Sequence, residues 1–534
     1  MKNLLYALLS GFLLAISWPT YGFAFLILIA FVPLLFTEIN IRNSTTSFMK
    51  VKVFGFAYLT FFIWNLFTTY WLYFSTPFGG AFAILVNSLL MALVFLFYHI
   101  VAKRSGFLVS VIFLTSIWMV FEKIHLSWDF SWPWLNLGNV FSEDTAWVQW
   151  YEYTGIFGGT LWVWITNLIL FKTLLDYRKF KVKSILYWAA IKLFSVIGLP
   201  MLISYLIYEN YQIPKEETEV LILQPNIDPY TAKYNTTDER IGEILLRLSR
   251  EKLTKNTRAL IAPETVFADG TPLSQIKSSE AEIVSSQLHN EYKNLSFIGG
   301  ISLFERFSDP EKVGKQTNKI GKSDWFNDYN SAFLIKPDGE SELYHKSKLV
   351  VGVENFPYPT ILKPLLGDMM IDLGGTVAMK TTQPNRETFR LSDGTYTGSI
   401  ICYESVYGEF VTGYVKNGAE FLTIITNDAW WGDTQGHKQH LSYAKLQAIE
   451  TRRAVARSAN TGISALINPR GDIKEELGYK VQGSILGTVA LNREKTFYVE
   501  HGDYLARIAQ FLAAIIFLFA IMRHKRNAKR YHSW

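Results

Sequence analysis

Cysteine and charge are both scarce in this sequence. One cysteine in 534 residues leaves nothing for a disulfide scaffold or a cysteine-based structural zinc site. Charged residues are 18% of the chain, against roughly 25% in a soluble domain. Together with 49% hydrophobic residues, that excludes a disordered chain, which combines low hydrophobicity with high charge. It also argues against one ordinary soluble enzyme. Short internal repeats and low-complexity linkers are missing too. The net charge of +6 is too small to point to nucleic acid, so no nucleic-acid partner is expected.

Long apolar runs are present instead. A bilayer core of about 30 Å needs about 20 residues of helix. Candidate spans lie at 3–18, 22–39, 53–74, 81–102, 106–121, 156–175, 184–208 and 504–522. The first also reads as a signal peptide behind Lys2; a retained helix is preferred because the next span follows after a very short turn. The fold class expected is a polytopic α-helical membrane domain of about eight spans plus a separate α/β domain. The expected division is a seven-helix domain over 1–208, an extracytoplasmic domain over 209–503, a last span over 504–522 and a basic tail over 523–534.

The charges between the spans are sorted by side. Lys2, the segment 38–52, Lys103 with Arg104, the segment 172–183 and the tail 523–530 together carry +14, whereas the loop 122–155 carries −4. Under the positive-inside rule both termini are cytoplasmic and 209–503 lies outside the cytoplasmic membrane.

Residues 209–503 read as an alternation of strands and helices, a layered α/β sandwich. β-rich runs fall at Val220–Gln224, Ala259–Ala262, Phe297–Ile301, Ala332–Ile335, Gly398–Cys402, Phe421–Thr426 and Ser464–Asn468. Helical periodicity marks 238–255 and 437–457.

Three strand exits carry reactive side chains. Cys402 ends the apolar run Ser399-Ile400-Ile401. A lone cysteine is usually a small core residue, but an unpaired thiol is unusual in an oxidising compartment, and strand termini present reactive groups in α/β folds. A thiol at its free pKa needs a base or a cation to act as a nucleophile, and no His-Asn partnership is obvious near it. Glu264 follows the run 259–262, and Lys346 follows the hairpin 332–344. Alone, each reads as an ordinary surface charge. The order Glu, Lys, Cys on three strand exits is the more specific signal.

Several strings then fall into a pattern: Leu223-Gln224-Pro225-Asn226, Ala262-Pro263-Glu264, Tyr344-His345-Lys346, Ile401-Cys402-Tyr403-Glu404, Thr426 to Gly432, Gln439-His440-Leu441 and Ala459-Asn460-Thr461-Gly462. The outer domain resembles the nitrilase, or carbon–nitrogen hydrolase, superfamily. The whole chain resembles the apolipoprotein N-acyltransferases, bacterial inner-membrane enzymes with a nitrilase-like domain before the last span. The resemblance implies an αββα sandwich and a two-step acyl transfer. A phospholipid would donate an acyl chain to Cys402 as a thioester. The acceptor would be the α-amine of a diacylglyceryl-cysteine apolipoprotein. Glu264 would be the general base and Lys346 the oxyanion stabiliser. No metal and no cofactor would be needed, and a single chain is the expected working unit.

Glu354 and Glu404 carry over from the family as supporting acids. Glu404 follows Cys402 by two, so on a continuing strand it would share its side; holding the lysine is the other role open to it. Glu354 stands in Val351-Gly352-Val353-Glu354, where the family usually has Pro-Phe-Gly-Glu, and Ala262 replaces a commoner Trp. Tyr403, Trp430, Trp431, Met369 and Met370 are expected to line an acyl-chain entrance, with 361–380 as an apolar loop; ordinary core packing is the alternative. A membrane-tethered amidase that uses water as acceptor shares the same three residues. A transporter with an outer binding domain would need ionisable residues within its spans; the spans are nearly free of them, with Lys192 and Arg507 the main exceptions, although eight helices could still form a conduit.

Overall fold

The computed structural model describes residues 1–228, 236–361 and 379–531, the last nine of these by backbone only. The chain divides into two compact units.

The first comprises Met1–Tyr73, Pro77–Asn210 and the chain from His501. Its helices are α1 (Lys2–Ile16), α2 (Val32–Arg42), α3 (Met49–Thr69), α4 (Pro77–Ala102), α5 (Phe107–Ile124), α6 (Ile156–Phe180), α7 (Lys183–Asn210) and a C-terminal helix, Tyr504–Tyr531. Among the described residues, seven helical segments are long and apolar enough to cross a membrane. The expected first span is the shorter α1, at 15 residues only about 22 Å long. The second span is not one continuous helix. Short turns over Ala24–Leu26 and Ile27–Ala30 precede α2, and Pro33 stands in its first turn. The break strands backbone groups in apolar surroundings, where each must find a partner. Asn167 supplies both: its Nδ2 donates to the Ile27 carbonyl at 2.8 Å and its Oδ1 accepts from the Phe31 N–H at 2.9 Å.

The second unit holds Tyr211–Glu500 and two sheets. The first sheet contains β1 (Glu217–Gln224), β2 (Thr257–Ile261), β3 (Phe267–Pro272), β4 (Ser296–Phe307), β5 (Asn318–Ile320), β6 (Asp324–Ile335) and β7 (Ser341–His345). The second contains β8 (Thr388–Arg390), β9 (Tyr396–Ile401), β10 (Phe421–Thr426), β11 (Val455–Ala459), β12 (Ser464–Ile467) and β13 (Ile473–Leu477). The chain then returns through β14 (Gly483–Ala490) to pair antiparallel with β1. Parallel pairing joins β1, β2 and β4 in one sheet and β9, β10 and β11 in the other.

Burial alternates along these strands with the two-residue period of the pleat. Val220 and Ile222 of β1 pack between the sheets with Ile400 and Ile424. Leu221 and Leu223 face the other way, against α8 (Asp238–Arg250) and α9 (Glu280–Glu291). The outer face of the second sheet is covered by α10 (Gly408–Lys416) and α11 (Gln435–Thr451), whose Val411, Tyr414, Leu441 and Ala448 belong to the same buried cluster as its strands. The layers are therefore helix, sheet, sheet, helix.

Three sequence expectations change. The helix expected over 437–457 stops at Thr451, because Arg452 takes a left-handed conformation (φ 50°). Val455, read as a helical position, instead begins β11, paired residue for residue with β10. The helix over 238–255 ends earlier, at Arg250. The strand carrying Cys402 ends at Ile401, so Glu404 does not continue along it.

Candidate active site

Cys402 follows β9 with φ 50°, a backbone region costly for any residue with a Cβ. A short 3-10 turn, Cys402–Val406, follows. The turn is locked by Glu404. Its Oε2 accepts the Ile401 N–H at 2.9 Å. Its Oε1 accepts the Ser347 N–H at 2.6 Å, the Lys348 N–H at 3.2 Å and the Tyr344 hydroxyl at 2.7 Å. One buried carboxylate thus ties the strand end before Cys402 to the backbone beside Lys346. Burial raises the Glu404 pKa, and these donors pull against it.

Glu264 leaves β2 through Ala262-Pro263. Gly300 on β4 makes room for it: a Cβ there would stand 2.2 Å from the Thr265 nitrogen and 2.7 Å from Glu264. The Gly300 N–H donates to the Pro263 carbonyl at 3.0 Å. Only a residue without a side chain permits that approach.

Lys346 leaves β7 with its N–H on the Asn330 carbonyl, 2.8 Å. Its ammonium reaches Glu264 Oε1 at 2.9 Å and Glu354 Oε2 at 2.9 Å. Asn330 on β6 bridges the same two acids, its Nδ2 being 2.8 Å from Glu264 Oε1 and 2.8 Å from Glu354 Oε1. The other Glu264 oxygen accepts the Asn427 N–H at 3.2 Å, at the exit of β10. Glu354 also accepts from the Val350 N–H, 2.9 Å. The site is therefore one cation between two acids, pinned by an asparagine.

Charge decides how the thiol behaves. Burial pushes the Cys402 thiol well up, the Glu264 carboxylate adds to that, and Lys346 opposes both. Burial pushes the Lys346 ammonium down, but Glu264 and Glu354 outweigh it and hold the group charged. At rest a neutral thiol stands beside a fixed cation and a carboxylate.

A second buried cluster backs Cys402. His440 on α11 has Nε2 3.2 Å from the Cys402 carbonyl and 2.9 Å from the Ser405 hydroxyl. Its Nδ1 lies 2.9 Å from Asp428 Oδ1. Arg457 on β11 donates to Asp428 Oδ2 at 2.6 Å. Burial alone would raise the Asp428 pKa; Arg457 and His440 more than offset it and hold the carboxyl well below its usual range. A ligand atom each from Cys402, Asp428 and His440 lies within 4.8 Å of the others. The Arg457 guanidinium already occupies the position of positive charge there, so these donors suit an ion pair rather than a metal.

Of the residues expected from sequence, Glu264 and Glu354 both contact Lys346, and Glu264 and Lys346 act electrostatically on Cys402. Glu404 lies behind the thiol as a brace. Tyr403 is buried, its ring edge-on to Tyr407 at 5.3 Å. Trp430 and Trp431 lie in the half-buried turn after β10, with Trp431 edge-on to His440 at 5.5 Å. Met369 and Met370 lie outside the described residues. Asn330 and Arg457 were not singled out from sequence, and Asn427, Asp428 and His440 stood there only inside the family strings, with no role assigned. Asn330 stands in a plain strand, and His440 reaches Cys402 from a helix 38 residues further along the chain, where no histidine near the cysteine in sequence was obvious.

Residues 10–169 match the apolipoprotein N-acyltransferase N-terminal domain, and 293–497 match the carbon–nitrogen hydrolase domain. An apolipoprotein N-acyltransferase of Chlorobaculum tepidum is 27% identical, the match covering 97% of this chain and 96% of that one. One from Thermotoga maritima is 25% identical over 99% and 95%. Among solved structures, Saccharomyces cerevisiae Nit3, of the nitrilase superfamily, aligns at 15% identity with a TM-score of 0.35, covering 52% of this chain and 92% of that one. Both domain matches fall in the order the two units require, and the relatives match from end to end. The chain belongs to the apolipoprotein N-acyltransferase family, with a nitrilase-like αββα domain set among membrane-spanning helices.

Proposed function

We propose that the chain moves an acyl chain from a membrane phospholipid to the N-terminal amine of a diacylglyceryl-cysteine apolipoprotein, through a thioester on Cys402. The protein is a multi-pass membrane N-acyltransferase acting in lipoprotein maturation. The observation that carries the mechanism is the Glu264–Lys346–Glu354 cluster, of which Glu264 and Lys346 act electrostatically on the Cys402 thiol.

The thiol is neutral at rest, so its proton leaves as attack begins. Glu264 takes that proton while Sγ bonds to the ester carbonyl carbon. Lys346 stabilises the oxyanion, an effect often worth a few kcal/mol. The carbon–oxygen bond breaks, and the proton held by Glu264 passes to the departing lysophospholipid oxygen. In the second half the acceptor amine attacks the thioester, Glu264 takes the amine proton, and the proton returns to the leaving Cys402 sulfur. Splitting the exchange in two is the gain from covalent catalysis. Glu354 shares the charge of Lys346 with Glu264, which keeps the ammonium between the two acids. Tyr403, Trp430 and Trp431 line the acyl-chain entrance in this reading.

The distribution of basic segments supports an inner-membrane protein with both termini in the cytoplasm, α1 counted as a crossing, and residues 209–503 on the periplasmic side. The test is a mass measurement. Membranes containing the protein are given a diacylated lipoprotein and labelled phospholipid, and the lipoprotein should gain one labelled acyl chain. Free fatty acid without acylated lipoprotein would instead make the protein a hydrolase.

A further inference from the structure

The helical unit contains a cavity of about 730 Å³ that no step of acyl transfer uses. It lies among α5, α6, α7 and the C-terminal helix, and its volume falls in the range of small-molecule sites, about 300–1,000 Å³. The walls are mostly apolar, with Leu168, Trp188 and Leu512 among them, but Lys172, Asp176 and Lys192 line it as well.

These charges are not equivalent. Lys172 is paired to Asp176, one helical turn on, at 2.6 Å. Lys192 has no carboxylate within 4.0 Å among the described residues. It is nine residues into α7 (Lys183–Asn210), about 13.5 Å along the axis, inside a segment long and apolar enough to span a bilayer. Lys172 is eight residues from the end of α6 (Ile156–Phe180), about 12 Å from it. Because α6 runs directly into α7, both amines start at a similar depth from the basic turn between them and can extend back toward it. An unpaired ionisable side chain within a span marks a ligand or ion path by default. The cavity therefore has one cationic end near the turn and an apolar remainder.

From these features we infer that the cavity binds a glycerophospholipid with a net-negative headgroup, whose phosphodiester pairs with Lys192 while an acyl chain lies along Leu168, Trp188 and Leu512. Charge complementarity selects the headgroup. The carboxylate at this end is already neutralised by Lys172, so one positive charge is left over, and a zwitterionic headgroup would bring its own cation toward Lys192. α7 has few buried side chains of its own, Ala189 and Ser204, and a lipid here supplies the packing it lacks. This molecule is a bound partner of the helical unit, distinct from the acyl donor.

The test uses the full chain carrying Cys402→Ala, so that lipid is not consumed, purified in detergent. Phosphatidylglycerol and phosphatidylcholine with identical chains are compared for retention by native mass spectrometry. Phosphatidylglycerol is expected to be retained about five-fold more, the scale of one basic side chain acting on an anionic lipid. Lys192→Gln should erase that preference and Lys192→Arg should keep it. Lys192→Gln with Cys402 intact should still transfer acyl chains, which shows that the fold survives. Equal retention of the two lipids by the full chain with Lys192 intact, or an undiminished preference in Lys192→Gln, overturns the assignment.

Discussion

Replacing Glu404 with Gln should uncouple the two halves of the active site without removing any atom that touches substrate. The carboxylate receives the Ile401, Ser347 and Lys348 N–H groups and the Tyr344 hydroxyl, at 2.6 to 3.2 Å. Both oxygens accept. Gln keeps one acceptor and turns the other position into a donor facing a donor. About one or two charge-assisted bonds are lost, each worth about 1.5–3 kcal/mol. Burial already works against the carboxylate, so removing its charge returns part of that cost, and a net destabilisation of about 2–3 kcal/mol is expected. The functional loss is larger in kind. The Ile401 bond fixes the chain before Cys402, and the Ser347 and Lys348 bonds fix the chain after Lys346, so nucleophile and cation drift apart. A misplacement of 1 Å can cost about 10²-fold in rate. The assay is single-turnover thioester formation on Cys402 across a pH series, beside a thermal melt. A brace predicts a rate lowered about 10²-fold at every pH, with the profile unchanged in shape. Loss of one limb of the pH profile with unaltered stability would make Glu404 an acid or base, and full activity would remove it from the mechanism.

Lys346→Met should leave Glu264 and Glu354 facing one another through Asn330, with no cation between them; a fall in acyl transfer of about 10²–10³-fold is expected, read as the single-turnover rate. Gly300→Ala places a Cβ against the Glu264 segment and should cost about 1–3 kcal/mol in stability and displace the base, read as a lower melting temperature and a slower first half-reaction. Asp428→Asn leaves Arg457 buried without its partner, a loss of about 3–5 kcal/mol at neutral pH. Because the Asp428 pKa is held down in the folded state, its contribution is present above about pH 3.9 and fades as the pH falls toward the folded value. The Asn variant should therefore show a flatter acid limb below about pH 4 in fluorescence-monitored melts, and an acid limb as steep as that of the unsubstituted protein would contradict the ion-pair reading.

Much of the helical unit was legible because a bilayer demands long uninterrupted apolar runs. The break at Phe31 was not, because the residue that satisfies its backbone groups, Asn167, lies far along the chain. In the α/β unit, strands buried on both faces, such as Phe421–Thr426, stand out as continuous apolar runs. The charged strand Ile473–Leu477 and the glycine-rich Gly483–Ala490 do not, since partner strands and not their own composition hold them in the sheet. Val455 fits a helical spacing by chance, and the pairing of β11 with β10 decides against it. At the site, Glu264, Lys346 and Cys402 announce themselves by residue type at strand exits. Asn330 and His440 act through distances that only the folded chain creates. Glu404 was read as lying beside the thiol because the period of a strand was extended past Ile401; the positive φ at Cys402 ends that period.

The central claim is that the acyl chain passes through Cys402. Incubation of the full-length protein with labelled phospholipid in the absence of acceptor, followed by peptide mass analysis, should find one acyl chain on Cys402, sensitive to hydroxylamine. Adding diacylated lipoprotein should then move that label to its N-terminal amine. Acylated lipoprotein formed at an undiminished rate by Cys402→Ala would contradict the account.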